Sequence, residues 1–430
     1  MAVAVATPLW AGDGGTAVPP VARGLEVVAR EHAFSLARWE VETLSARALH
    51  LVRPAWAPGQ NPDADRQVVL RYHAITGELE RLQAERDQIE ASEAGSLRAE
   101  RLAALSRQAE AVKTERARLT SAVETIVAWQ IGQVLAEQDI RHGPLEIAPR
   151  PHFPFVSTTI TPGVAFRLGQ PPNLLVVAPR DRIEVVGSVL LDSDLSYEEV
   201  SQLEESADRL GVASLVTPIG GLAAYPAMVP ASASVHGSLE TITHEWIHHY
   251  LVFRRLGLSY FQSYEMRTIN ETVADMVGEE LADLVYARYY AQPDELSALG
   301  ASSTRPAHGP GQQPTFGELM RQIRVEVERY LAQGDVAGAE AYMAEQQREL
   351  ARRGYHVRRL NTAYLSFFGA YAGSANPFEE RLRAIRRESG SLRAFLERVS
   401  EVGSATDLDA LLSGSIRSER GGRSISGDRP

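Results

Sequence analysis

The sequence predicts an α+β protein: a small mixed sheet with helices before and after it. Three observations carry this prediction. Residues 65 to about 140 are rich in charge and repeat Leu, Val and Ile at helical spacing. From residue 150 the texture turns to short β-branched and aromatic runs. Helical patterning then returns near residue 238 and continues, across one Gly/Pro/Ser-rich break, to about residue 400.

In chain order, residues 1–24 are rich in Ala, Gly and Pro and read as a disordered leader. Their opening, MAVAVATPLWAGDGG, has no positive region before its apolar stretch and fails as a secretory signal. A cytoplasmic location is the default expectation, and export through a missed signal is the alternative. Residues 25–140 read as a helical arm. Its first part, 25–52, offers Leu25, Val28, Phe34, Leu36, Trp39 and Leu44 to a core, and PAWAPGQNPDAD (54–65) breaks it. The remainder reads as two long antiparallel helices joined near Gly95 and Ser96, with Leu79, Leu82 and Ile89 recurring at helical spacing in the first and Leu102, Leu105, Val112, Leu119, Val123 and Ile126 in the second. Such an arm is structural, or docks a protein partner.

Residues 141–400 form the expected main domain. FPFVSTTITPGVAFRL, NLLVVAPRDRIEVVGSVLL, VASLVTP and GLAAYPAMV read as strands. SYEEVSQLEESADRLG reads as a helix capped by Ser196 and ended by Gly211. The break PDELSALGASSTRPAHGPGQQP is long enough for a lid or a disordered loop. Helices follow from Phe316 to about 353, from about 358 to 372 and near 378–400, and residues 401–430 read as a mostly flexible tail.

Composition excludes several functions. The net charge is −11 over 430 residues, which opposes nucleic acid as a partner and a polybasic membrane patch. No apolar run is long enough to span a bilayer. With no cysteine, any metal must be held by His, Asp or Glu.

The residues that carry chemistry lie in SLETITHEWIHHYLVFRRLG, read as one helix with Ser238 as N-cap and Gly257 beyond its end. His244 and His248 are four apart, so their rings share a face and both reach one ion. Glu245 is displaced by about 100°. From there its carboxylate can act as general base toward water held by the ion, the H-E-x-x-H arrangement. His249 points away from the pair and reads as a supporting or packing residue. Five residues of this pattern arise by accident in about one or two per cent of chains this long. A third ligand is therefore the deciding feature. Downstream, RTINETVADMVGEELADLVYARYY has an apolar face of Ile269, Val273, Met276, Val277, Leu281 and Leu284. Glu271 and Asp275 share another side of this helix: Glu271 can be the third ligand, and Asp275 can orient a ligand histidine.

These residues resemble the gluzincin metallopeptidases, the thermolysin-like zincins, in HEWIH (244–248) and NETVAD (270–275), over about residues 182–290. The resemblance implies a zincin-like catalytic domain with one Zn2+ per chain, held by His244, His248 and Glu271. It implies Glu245 as general base, Asp275 as the partner of His244 and Asn270 as a neighbouring support. It also implies a strand antiparallel to bound peptide, for which GLAAYPAMV is in the right place, with Pro226 turned from the pairing side. The metzincin third histidine is missing after His248, and no G-A-M-E-N-type sequence is present. The expected activity is thus zinc-dependent hydrolysis of peptide bonds, endopeptidase rather than aminopeptidase. The oxyanion needs a further donor. GYHVRRLNTAYLSFFGAY offers His356, Arg358, Arg359, Asn361 and Tyr364, with Tyr364 first. The alternatives are a silent scaffold whose arm binds a protein, and a zinc hydrolase of a non-peptide substrate.

Overall fold

In the computed structural model, which describes residues 20–39, 43, 58–92, 96–140, 148–149, 158–159, 163–291, 315–368 and 378–413, helices flank a strand-rich middle. The order is α1 (Pro20–Ala29), α2 (Pro62–Ser92), α3 (Ser96–Glu137), β1 (Ala148–Pro149), β2 (Thr158–Thr159), β3 (Phe166–Gly169), β4 (Asn173–Pro179), β5 (Gly187–Leu191), α4 (Tyr197–Asp208), β6 (Val212–Pro218) and β7 (Ala227–Pro230). Helices α5 (Val235–Leu251), α6 (Arg255–Leu258), α7 (Tyr264–Tyr289), α8 (Phe316–Ala332), α9 (Val336–Arg352), α10 (Thr362–Phe368), α11 (Glu379–Glu388), α12 (Leu392–Val399) and α13 (Ala405–Leu412) follow. The α+β expectation therefore holds at the level of class.

Strand β4 pairs antiparallel with both neighbours, giving a three-stranded sheet in the order β5-β4-β6. Its side chains alternate between faces. Leu175 and Val177 meet α1 and α4 through Leu25, Ala29, Leu203 and Ala207. Ala178 faces the other way, onto Ala363 and Tyr364 of α10. Helix α4 starts as its sequence predicts: Ser196 and Glu199 satisfy each other's backbone N–H groups. Gly211 follows that helix at φ +84°, a left-handed conformation that suits glycine.

The placement of α1 corrects two expectations. Its first residues, Pro20 to Gly24, are helical and not part of a leader. The helix lies on the sheet and not on the arm, because Leu25 and Ala29 are buried against Leu175, Val177 and Leu191. Residues 1–19 and most of 40–57 lie outside the described residues.

Strand β7 pairs in parallel with β3, Phe166 opposite Ala227 through Gly169 opposite Pro230. GLAAYPAMV is therefore not one strand. The Leu222 N–H donates to Met228 O at 3.0 Å and the Met228 N–H to Leu222 O at 2.9 Å, so the chain folds back on itself. Pro226, without an N–H, sits in this turn after a cis bond from Tyr225 and interrupts no ladder.

Helices α2 and α3 form the expected antiparallel pair, but their bases are built into the main core. Tyr72, Ile126, Ile131 and Leu135 are buried with Trp246 of α5 and Val273 of α7. Polar ties fix the same junction: His73 donates from Nδ1 to Ser232 O at 2.7 Å, and Arg167 pairs with Glu124 at 2.7 Å. Leu82 and Ile89 are buried farther out along α2. At the other end, α13 buries Leu408 and Leu411 in the main core, so residues 405–412 are not tail. Residues 292–314, read as lid or loop, and 414–430 lie outside the described residues. No helix among the described residues is long and apolar enough to cross a membrane.

Candidate metal centre

Two helix starts set the site. Ser234 caps α5, its hydroxyl accepting from the Gly237 N–H at 3.0 Å. Ser238, the expected cap, is buried one turn inside the helix. The early start places HEWIH in the helix interior, where backbone bonding is complete. The helix also ends earlier than expected, at Leu251 rather than near Gly257. Ser263 caps α7 by accepting from Met266 N at 3.2 Å.

The two helices cross closely at Gly278. Thr243 Oγ1 lies 2.8 Å from Gly278 O. A Cβ on Gly278 would stand 3.0 Å from His244 N and 3.1 Å from its Cα. Glu271, Asp275 and Gly278 are spaced by four and three, one stripe of α7 facing α5. Gly278→Ala is expected to push this stripe from His244 and to cost about 1–3 kcal/mol. Chemical denaturation and zinc titration measure this; a variant equal to wild type in both would show that the close approach is unnecessary.

On this crossing the structure brings His244, His248 and Glu271 together. The two Nε2 atoms are 3.1 Å apart. Glu271 Oε2 lies 3.5 Å from His244 Nε2 and 3.6 Å from His248 Nε2. An ion held tetrahedrally at 2.0–2.1 Å needs donors about 3.3–3.4 Å apart. The observed spacing fits that requirement, and two imidazoles with a carboxylate are a donor set that suits zinc. Among the described residues, this is the one group of three such side chains whose ligand atoms converge for an ion.

Each donor is held from behind. His244 Nδ1 is 3.0 Å from Asp275 Oδ1, and His248 Nδ1 is 3.0 Å from Asn270 Oδ1. These acceptors put the Nδ1 protons on the far side of each ring and leave Nε2 free to ligate. Tyr260 donates its hydroxyl to Glu271 Oε1 at 2.5 Å, leaving Oε2 toward the histidines. The side chains of His244, His248 and Glu271 keep 21%, 15% and 16% exposure, so the cluster is deep but reachable from solvent.

Its electrostatics call for a cation. Burial opposes a charge on His244, but the carboxylates of Asp275 and Glu271 outweigh it and hold the imidazolium well above the ordinary histidine range. Burial likewise opposes ionised Glu271, yet His248 and His244 hold its carboxyl well below the usual range. In the metal-free protein a proton on His244 supplies the positive charge that an ion would bring.

Glu245 is buried beside this cluster, at 6% exposure. Burial pushes its carboxyl up, against the pull of the two histidines. Gly221 lies directly on it: a Cβ there would be 2.1 Å from Glu245 Oε1. His249, one turn further along α5, is pushed by burial down to about 4 and is therefore neutral near pH 7. Its Nε2 donates to Ala224 O at 2.6 Å.

The C-terminal candidates do not gather here. Tyr364 stacks on Phe368 at 4.6 Å, beneath the sheet with Ala178 and Leu215. Arg358 and Arg359 pair with buried Glu204, and Arg359 also with Asp208. Asn361 caps the start of α10 by accepting from Tyr364 N at 2.9 Å. His356 is exposed. The tyrosine hydroxyl bonded to a member of the triad belongs instead to Tyr260. Its signal was its place in the short connection between the two motifs, which must stay near both. No family model, curated protein or solved structure that was compared matches this chain.

Proposed function

We propose that the chain is a zinc-dependent hydrolase of peptide bonds, of gluzincin type. The observation that supports this reading most is the convergence of His244 Nε2, His248 Nε2 and Glu271 Oε2, each backed by its own hydrogen-bond partner. When bound there, zinc supplies a Lewis acid that polarises a carbonyl and acidifies water. Glu245 takes the proton of the attacking water and delivers it to the departing amine nitrogen. Its burial favours the first of these transfers, because a carboxylate with a raised pKa is a stronger base toward water. Asp275 and Asn270 keep the ligand rings in one tautomer and orientation. Tyr260 keeps Glu271 presenting one oxygen, because its single O–H is donated to Glu271 Oε1.

The test is metal analysis with hydrolysis of a mixed peptide library, with and without chelator. One zinc per chain and chelator-sensitive cleavage are expected. Zinc without cleavage of any peptide would overturn the substrate class.

Metal binding should also depend on pH. His244 must lose its proton to ligate, so affinity should fall as pH drops below that group's raised pKa. In metal-free protein the folded His244 value lies above the ordinary 6.5. Its stabilisation is full below 6.5 and is lost as pH rises through the folded value. Glu271, depressed below 4.5, stabilises above that pH and loses this contribution as pH falls through its folded value. Chelated protein should therefore melt earlier on the alkaline side, and zinc should remove that slope. Melting curves that do not respond to alkali after chelation would contradict this assignment.

A further inference from the structure

We infer that His249 is a positioning residue: through Ala224 it holds the 221–224 strip against Glu245 and so fixes one wall of the reaction site. Glu245 and His249 are four positions apart and share a face of α5, a different face from that of His244 and His248. That face looks onto the strip, with Gly221 against the Glu245 carboxylate and Ala224 against the His249 ring. Leu222 and Ala224 are buried with Leu36, Leu190 and Met228, which holds the side chains of the strip, but its backbone has few polar ties. Leu222 exchanges two hydrogen bonds with Met228, and the Ala224 N–H turns back to Leu222 O at 2.8 Å. The bond from His249 Nε2 to Ala224 O, at 2.6 Å, is what fastens the far end of the strip to the helix.

The cost of this histidine points to its purpose. The ring is 8% exposed, and its Nδ1 is buried with no hydrogen-bond partner. It packs edge-on to Tyr225 at 5.3 Å, an apolar setting that a phenylalanine would fill without an unpaired nitrogen. What phenylalanine lacks is the donor to Ala224 O. The clearance at Gly221 makes that bond consequential. A backbone already so close that a Cβ would stand 2.1 Å from Glu245 Oε1 controls where the carboxylate lies. Misplacement of a reacting group by about 1 Å costs up to about a hundredfold in rate.

For its effect on turnover the inference rests on the hydrolytic reading; its structural half can be tested without it. The experiment compares His249→Phe and His249→Gln in the full chain, Gln offering an amide N–H close to the place of Nε2. Amide hydrogen exchange is followed over 220–225 and over α5, with zinc content and kcat and KM on the peptide library. His249→Phe should bind one zinc, keep α5 protected, and raise exchange in 220–225 about tenfold or more. It should lower kcat about tenfold with a smaller change in KM. His249→Gln should restore both. Unchanged exchange in 220–225 for His249→Phe would overturn the inference whether or not wild type cleaves peptides. So would equal loss in both variants, since the donor would then not matter. Loosened exchange with no hydrolysis even by wild type would leave the anchor standing and overturn the hydrolytic reading alone.

Discussion

Glu245→Gln is expected to keep one zinc per chain and lose peptide hydrolysis by about 10²–10⁴-fold, the usual contribution of a general acid–base group. The magnitude follows from the separation of roles on α5. His244 and His248 turn their Nε2 atoms toward one point, where an ion could be held, whereas Glu245 sits on the neighbouring face, under Gly221. Glutamine has the same shape and keeps the tight fit beneath the strip, but it cannot accept a proton. Stability should not suffer. At 6% exposure the ionised carboxylate is costly, as its raised pKa indicates, so a neutral amide should melt with the wild type or slightly above it. Metal content, melting temperature and kcat on the same preparation check this. A Glu245→Gln protein that cleaves as fast as wild type sinks the mechanism, and one that loses its zinc makes Glu245 a ligand instead.

Glu271→Ala is expected to abolish stoichiometric zinc binding. A catalytic zinc site needs three protein ligands, and of the three converging candidates Glu271 is the one that α7 supplies. Its supporters should matter less. Asp275→Asn and Tyr260→Phe leave all three donors in place and disturb only their orientation, which costs about 10–100-fold in metal affinity. The ranking is the informative result: zinc titration should give a larger loss for Glu271→Ala than for either supporter. If Asp275→Asn costs more than Glu271→Ala, Asp275 is the third ligand.

Much of the site was legible because its logic is local. The four-residue spacings in HEWIH and NETVAD place donors on shared helix faces, and backbone geometry alone fixes that. The same holds for the Ser196–Glu199 cap of α4 and for the alternation along β4. The fold-back at 222–228 was less legible. Its pattern reads as a strand, and what decides against one is the pair of hydrogen bonds between Leu222 and Met228. The docking of α1 was illegible in the same way: an amphipathic helix declares that it needs an apolar surface, not which one.

The sequence by itself determined which side chains can ligate, their order along the two helices and the character of each face. Those properties depend on residues within one or two turns of each other. The tertiary structure decided what meets those faces. It set Gly278 against His244, Gly221 against Glu245, and Tyr260 rather than Tyr364 against Glu271. These partners are separated by 11 to 34 positions, and no periodicity links them. Only the packing of α5 on α7 and of the 221–224 strip on α5 brings them within contact distance, and contact depends on close packing in three dimensions.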